Sequence, residues 1–155
     1  MPKTAVGGTF EYLHDGHRKL LRRAFEIAAG DLLDIGLTSD SMAGQKDRNI
    51  PSYATRRNQL EDYIASLDIP DKNYQIQKLE DPFGTTVNGD YRYIVVSPET
   101  YAVAEKINKL RREDGKEQLE IVKIDYVMAE DEKPISSTRI SNGEIDIHGH
   151  LRGKF

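Results

Sequence analysis

Two histidines three residues apart, His14 and His17, follow Gly7, Gly8 and Thr9 in the stretch VGGTFEYLHDGHRKLL, where a short apolar run gives way to a helical one. Side chains three apart on or beside a first helical turn share a face. Both imidazoles then point at whatever occupies the helix N-terminus, where free N–H groups and the helix dipole favour an anion. Gly7, Gly8 and Gly16 let backbone approach a phosphate with no Cβ in the way, and Thr9 adds a hydroxyl beside it. The arrangement predicts an anion cradle. The plainer alternatives are a glycine turn with an incidental histidine, and a threonine that merely caps the turn. Zinc is a weaker reading, because such a site wants three or four protein ligands and no cysteine or HExxH pattern supplies the rest. A hydrolytic triad is weaker still without a GxSxG elbow. The GxxxxGK[ST] phosphate loop is absent, and VGGTF lacks the third glycine of a dinucleotide fingerprint.

The elements that must position these residues are legible in order. KTAV reads as a strand that stops at Gly7 and Gly8; a helix follows, with Leu20, Leu21, Ala24, Ile27 and Ala28 as its stripe, Asp15 as N-cap and Gly30 as its stop. DLLDIGLTSD is a second strand running into the helix starters Thr38, Ser39 and Asp40. GQKDRNIPSY, carrying Lys46 and Arg48, reads as a loop, and a helix resumes over 55–67 on the stripe Leu60, Ile64 and Leu67. NYQIQKL alternates like a strand, and DPFGTTVNGD reads as loop. YRYIVVS is a strand leading into a helix with Ser97 as cap and Pro98 at its first position. LEIVKIDYV is the last strand, and ISSTRISNGE opens a short helix after the loop MAEDEKP. Such alternation implies an α/β, Rossmann-like fold: a parallel five-stranded sheet with helices on both faces, in a single domain over 1–155. In these sheets ligands bind beyond the carboxyl ends of the strands, where the histidine motif falls.

Composition narrows the partners. A chain of 155 residues fits one domain, by the working prior of ~150 residues each. A formal net charge of −4, with 31% charged residues, disfavours nucleic acid and anionic membrane surfaces. With no cysteine there is no disulfide framework and no thiolate nucleophile. No apolar stretch approaches the ~20 residues of a membrane span, and MPKTAVGG has no signal-peptide core, so a cytoplasmic protein is expected.

GGTFEYLHDGH near one end and ISSTRI near the other resemble the paired motifs of the nucleotidyltransferase superfamily, HxGH and ISS/TxxI. Within it, VGGTFEYLHDGHRKLL, IGLTSDSM, a lysine-bearing loop, VVSPETY and ISSTRISNGEID are similar to phosphopantetheine adenylyltransferases of the archaeal and eukaryotic type. The resemblance implies that ATP, accompanied by Mg²⁺, and 4'-phosphopantetheine give dephospho-coenzyme A and pyrophosphate. It assigns catalysis to His14, His17, Lys46 and Arg139. ATP binding falls to Gly8, Thr9, Phe10, His17, Ser97, Pro98 and Glu99, together with Ser136, Ser137, Thr138 and Arg139. Acceptor binding falls to Thr9, Lys46 and Arg57, with Arg56 a close competitor of Arg57. Many relatives carry another basic residue where this chain has Ser141, and His148 and His150 read as tail residues. The chemistry suits the residue types independently. A phosphate monoester is already largely a dianion near neutral pH, since its second pKa is ~6, and attacks without a general base. What it needs is alignment of two anions and neutralisation of charge on the α-phosphate and the leaving pyrophosphate. The same motifs would serve a cytidylyltransferase or an FAD synthetase, and the same fold a catalytically silent nucleotide-binding module.

Overall fold

A computed structural model describes residues 2–44 and 49–153. β1 (Lys3–Gly8) lies at the centre of a five-stranded sheet of order β3-β2-β1-β4-β5, with β2 (Leu33–Thr38), β3 (Tyr74–Leu79), β4 (Tyr91–Val96) and β5 (Glu120–Lys123). Every pairing is parallel. The order reverses between β1 and β4, so the strands leaving β1 and β4 part there and open a crevice at their carboxyl ends.

The period-2 alternation of the strands sorts the core into two layers. Val6, Leu33, Ile35, Leu37 and Val95 face α1 (Asp15–Ala28) and α3 (Tyr53–Ser66), against Leu20, Leu21, Ala24, Phe25, Leu60 and Ile64. Ala5, Ile94 and Val96 point the other way, onto Ala104 and Ile107 of α4 (Tyr101–Glu113) and onto Phe83 and Val87. Helices therefore cover both faces, as the sequence predicts. The crossover from β3 to β4 forms no helix, as expected for DPFGTTVNGD, and Phe83 and Val87 of that loop pack against the layer that β1 and β4 form with α4. Two short helices complete the chain, α2 (Asp40–Ala43) after β2 and α5 (Ser137–Ser141) in the C-terminal part. That part has a small apolar cluster of Ala129, Ile135 and Ile145. None of the described helices is long and apolar enough to cross a membrane.

The last strand, read over LEIVKIDYV, ends at Lys123, and three helix starts differ from the sequence reading, each for a local reason. The N-cap of α1 is His14, not Asp15, because the imidazole folds back onto the first turn. α3 starts at Tyr53, capped by the Ser52 hydroxyl, two residues before the expected Thr55. α4 starts at Tyr101 rather than Pro98; the Thr100 hydroxyl accepts from the Ser97 N–H at 3.1 Å and holds 97–100 as a turn.

Candidate active site

Between β1 and α1 the chain turns within a few residues, and Phe10, Tyr12 and Leu13 all take left-handed φ (51°, 64° and 48°). Such backbone costs ~1–2 kcal/mol per L-residue. Burial of Phe10 and Leu13, at 1% and 5% exposure in the core around α1, offsets it. The turn delivers His14 to the head of α1, where its Nδ1 accepts from the N–H groups of Gly16 (3.0 Å) and His17 (3.3 Å). A neutral imidazole that accepts at Nδ1 carries its proton on Nε2. Burial pushes the His14 pKa down to about 4, against the nearby Asp15 charge, so the ring is a neutral Nε2–H donor at pH 7.

Gly16 has a different use from the one the sequence suggested. A Cβ there would lie 2.8 Å from His14 Cε1, so glycine makes room for the capping ring rather than for a phosphate. The third first-turn N–H, of Asp15, donates to the Ile147 carbonyl at 3.0 Å. Backbone donors at the head of α1 are thus spent inside the fold. The anion cradle expected there is made of side chains and the helix dipole, not of free N–H groups. His17 lies in the first turn with its ring stacked on His14 (centroids 3.8 Å apart, planes 14° apart) and edge-on to Phe10 at 5.4 Å.

Both imidazoles line a cavity of about 340 Å³ at the crevice between β1 and β4. Gly8, Thr9 and Phe10 border it from the first loop; Ser97, Pro98 and Glu99 from the turn before α4; Ser136, Ser137 and Thr138 from the head of α5. These expected positions therefore converge. Ser136 caps α5, accepting from the Arg139 N–H at 3.2 Å, and the Ser137 hydroxyl ties that segment to the first loop by donating to the Glu11 carbonyl at 3.0 Å. Two of the expected residues that the structure describes are not brought there. Arg139 does not line the cavity; its guanidinium is bound to Asp131 and, at 3.2 Å, to Glu144, so its charge is neutralised at the C-terminal segment. Arg57 also stays out, pairing with Glu61 at 3.0 Å and with Tyr53 on the outer surface of α3. Lys46, like Arg48, lies outside the described residues.

Arg56, the competitor, is wholly buried behind the site. Its guanidinium donates to the carbonyls of Pro51, Thr9 and Thr38, to the Thr38 hydroxyl, and to Asp40. It braces the loop on which Thr9 stands, while the Thr38 hydroxyl donates to Thr9 Oγ1 at 3.1 Å. His148, read as a tail residue, instead meets Asp15 at 2.9 Å.

The sequence reading missed a second arm of the cavity. Asp34, Gly36 and Thr38 of β2, with Gln77 and Leu79 of β3, form its floor; Phe83, Thr85 and Thr86 form its roof. Strand alternation alone places Asp34, Gly36 and Thr38 on one face, but the roof comes from a loop with no periodicity.

With this geometry in place, the chain can be set beside known proteins. Residues 5–143 match the cytidylyltransferase-like family. The phosphopantetheine adenylyltransferase of Methanosarcina acetivorans is 58% identical over 152 residues, covering 98% of this chain and 97% of that one. The chain belongs to the phosphopantetheine adenylyltransferase family. Its namesake in Archaeoglobus fulgidus is 46% identical over 153 residues, covering 96% of this chain and 99% of the relative. A crystal structure of a protein of unknown function from Archaeoglobus fulgidus superposes with a TM-score of 0.72 at 42% identity, covering 79% of this chain and 89% of that one.

Proposed function

We infer that this protein transfers the adenylyl group of ATP to 4'-phosphopantetheine, forming dephospho-coenzyme A and releasing pyrophosphate, a step of coenzyme A biosynthesis. The observation that carries the reading is the stacked His14–His17 pair in one cavity whose two arms part at the sheet's switch point. ATP takes the arm bordered by Ser97–Glu99 and Ser136–Thr138, and the acceptor takes the arm between β2, β3 and the loop after β3. Thr9, at the junction, faces both reacting phosphates. The acceptor phosphate attacks the α-phosphorus, the bond to the pyrophosphate oxygen breaks, and the electron pair leaves with pyrophosphate. No proton has to be removed from the attacking oxygen.

Charge gathers on the α-phosphate oxygens and on the leaving group, and the fixed Nε2–H of His14 with the His17 ring beside it answers that charge. Both rings are held before the substrates arrive, so little reorganisation is required. Magnesium is proposed as part of the nucleotide substrate, carried by the ATP phosphates and water. The residues suit this arrangement: the carboxylates of Glu11, Asp34, Glu99 and Asp125 line the cavity with the two imidazoles, yet among the described residues no three His, Asp or Glu side chains are grouped to hold an ion. Lys46 is proposed to meet the acceptor phosphate.

A pyrophosphate-release screen tests the reading, crossing ATP, CTP and GTP with 4'-phosphopantetheine, FMN, nicotinamide mononucleotide and glycerol phosphate. ATP with 4'-phosphopantetheine is expected to be the best pair. A preference for CTP, or for FMN as acceptor, would overturn it.

A further inference from the structure

Deep in the second arm, back from the sheet edge, stands a carboxylate that the transfer chemistry does not use. Asp34 is 6% exposed and lines the cavity. In the sheet it is level with Ala5 and Gln75, and Ala5 in turn with Ile94. It lies four residues before Thr38, so at ~3.3 Å per residue it stands roughly 13 Å behind the sheet edge. The extended arm of 4'-phosphopantetheine, with its amides between phosphate and thiol, is long enough to cover that span.

The polar atoms around Asp34 leave little freedom. Tyr91 donates its hydroxyl proton to Asp34 Oδ2, and Gln75 Nε2 donates to Oδ1 at 3.0 Å. Burial and the bond to Asp34 raise the Tyr91 pKa, which keeps that phenol a donor. The Tyr91 oxygen is 2.5 Å from Thr85 Oγ1. A phenol has one proton. Since it goes to Asp34, Thr85 must give its own proton to Tyr91. The Thr86 hydroxyl is committed as well, donating to the Phe83 carbonyl. Lys3 stands over the Tyr91 ring at 4.6 Å, but it does not line the cavity. The far end of the arm thus offers acceptor lone pairs on Asp34 and Thr85, while the hydroxyl protons of Tyr91, Thr85 and Thr86 are all committed. Gln77, one row nearer the edge, is the neighbouring neutral polar side chain.

We propose that the Asp34–Tyr91–Thr85 relay is the specificity determinant for the distal end of the acceptor, admitting an uncharged amide–thiol end and excluding an end that bears a carboxylate. The proposal rests on the adenylyl-transfer reading above. An N–H or S–H reaching Asp34 meets open acceptors, whereas a carboxylate there meets another, largely buried carboxylate, where like charges repel strongly. Asp34 acts on the acceptor's remote end, so its effect falls on acceptor recognition and not on ATP.

The test compares kcat/KM for 4'-phosphopantetheine and for the analogue in which cysteine replaces the terminal aminoethanethiol, with wild type, Asp34→Asn and Tyr91→Phe. Wild type is expected to favour the uncharged acceptor by ~10²-fold or more. In Asp34→Asn that ratio should fall by at least ~10-fold, through the KM of the carboxylate-bearing acceptor. Affinity for MgATP, by calorimetry, should stay at the wild-type value. Tyr91→Phe returns the Thr85 proton to the cavity and should narrow the ratio too, which decides the matter if Asp34→Asn does not fold. Equal use of both acceptors by wild type, or an unchanged ratio in the folded variants, overturns the proposal alone. Failure of wild type to adenylylate either acceptor removes the proposal together with the reading on which it rests.

Discussion

Two helix heads flank the crevice, and they are finished in opposite ways. At α1 the side chain of His14 takes two first-turn N–H groups and the Ile147 carbonyl takes a third. At α4 the N-cap Thr100 makes no side-chain cap bond, because its hydroxyl accepts from the Ser97 N–H behind it. The first head is closed and serves as a rigid mount for two imidazoles. The second carries a turn, 97–100, whose residues border the cavity themselves. A helix N-terminus beside a phosphate site need not give its backbone to the phosphate; at α1 the capping ring stands in for it, turning two inward N–H groups into one outward Nε2–H.

The largest effect that would break this contrast is at His17. His17→Ala should lower turnover ~10²–10³-fold while leaving ATP affinity nearly unchanged, as for loss of one transition-state donor; single-turnover kinetics with a binding titration separate the two. Next comes the cap itself. His14→Ala should lose turnover and ~1–2 kcal/mol of stability in denaturant unfolding, whereas His14→Asn, which retains a capping oxygen, should lose turnover but most of the stability loss should vanish. The acid response of wild type sharpens the point. Since burial depresses the His14 pKa from 6.5 to about 4, the unfolded chain binds that proton more tightly than the folded one between those values. Stability should therefore fall as pH drops through this window, by up to about 3 kcal/mol, and His14→Asn should lose that part of the slope. The smallest effect belongs to the second head: Thr100→Ala removes the hydroxyl's contacts to Ser97, chiefly the bond from its N–H, and should cost about 1 kcal/mol, with no acid-dependent component.

How far the sequence foretold this arrangement depended on whether local rules decide it. The five strands, the placement of α1, α3 and α4, and the convergence of Gly8, Thr9, His14 and His17 follow from hydrophobic period and from motif position at strand ends, whereas Ser97 and Ser136 were placed there by the family resemblance. What escaped was set by tertiary partners. Asp15 looks like a cap by composition, but the back-folded ring of His14 outcompetes it once Gly16 clears the space. Arg56 and Arg57 are adjacent on α3, and one helical step of about 100° sends the first into the protein and the second to Glu61. Arg139 was expected at the phosphates because its motif borders them; Asp131, eight residues back in the chain, holds its guanidinium. The acceptor arm was invisible because its roof is a loop, and a loop's fold is fixed by what it packs against.

The central claim is that His14 is locked as a neutral Nε2–H donor by capping α1, and nitrogen-detected NMR of the labelled imidazoles across a pH titration reads it directly. The expected result is the Nε2–H tautomer for His14, a pKa of about 4, and a shift of its Nε2 resonance when MgATP binds. An Nδ1–H tautomer, or a pKa near the ordinary 6.5, would mean that the ring does not cap the helix and that the site is not built as described.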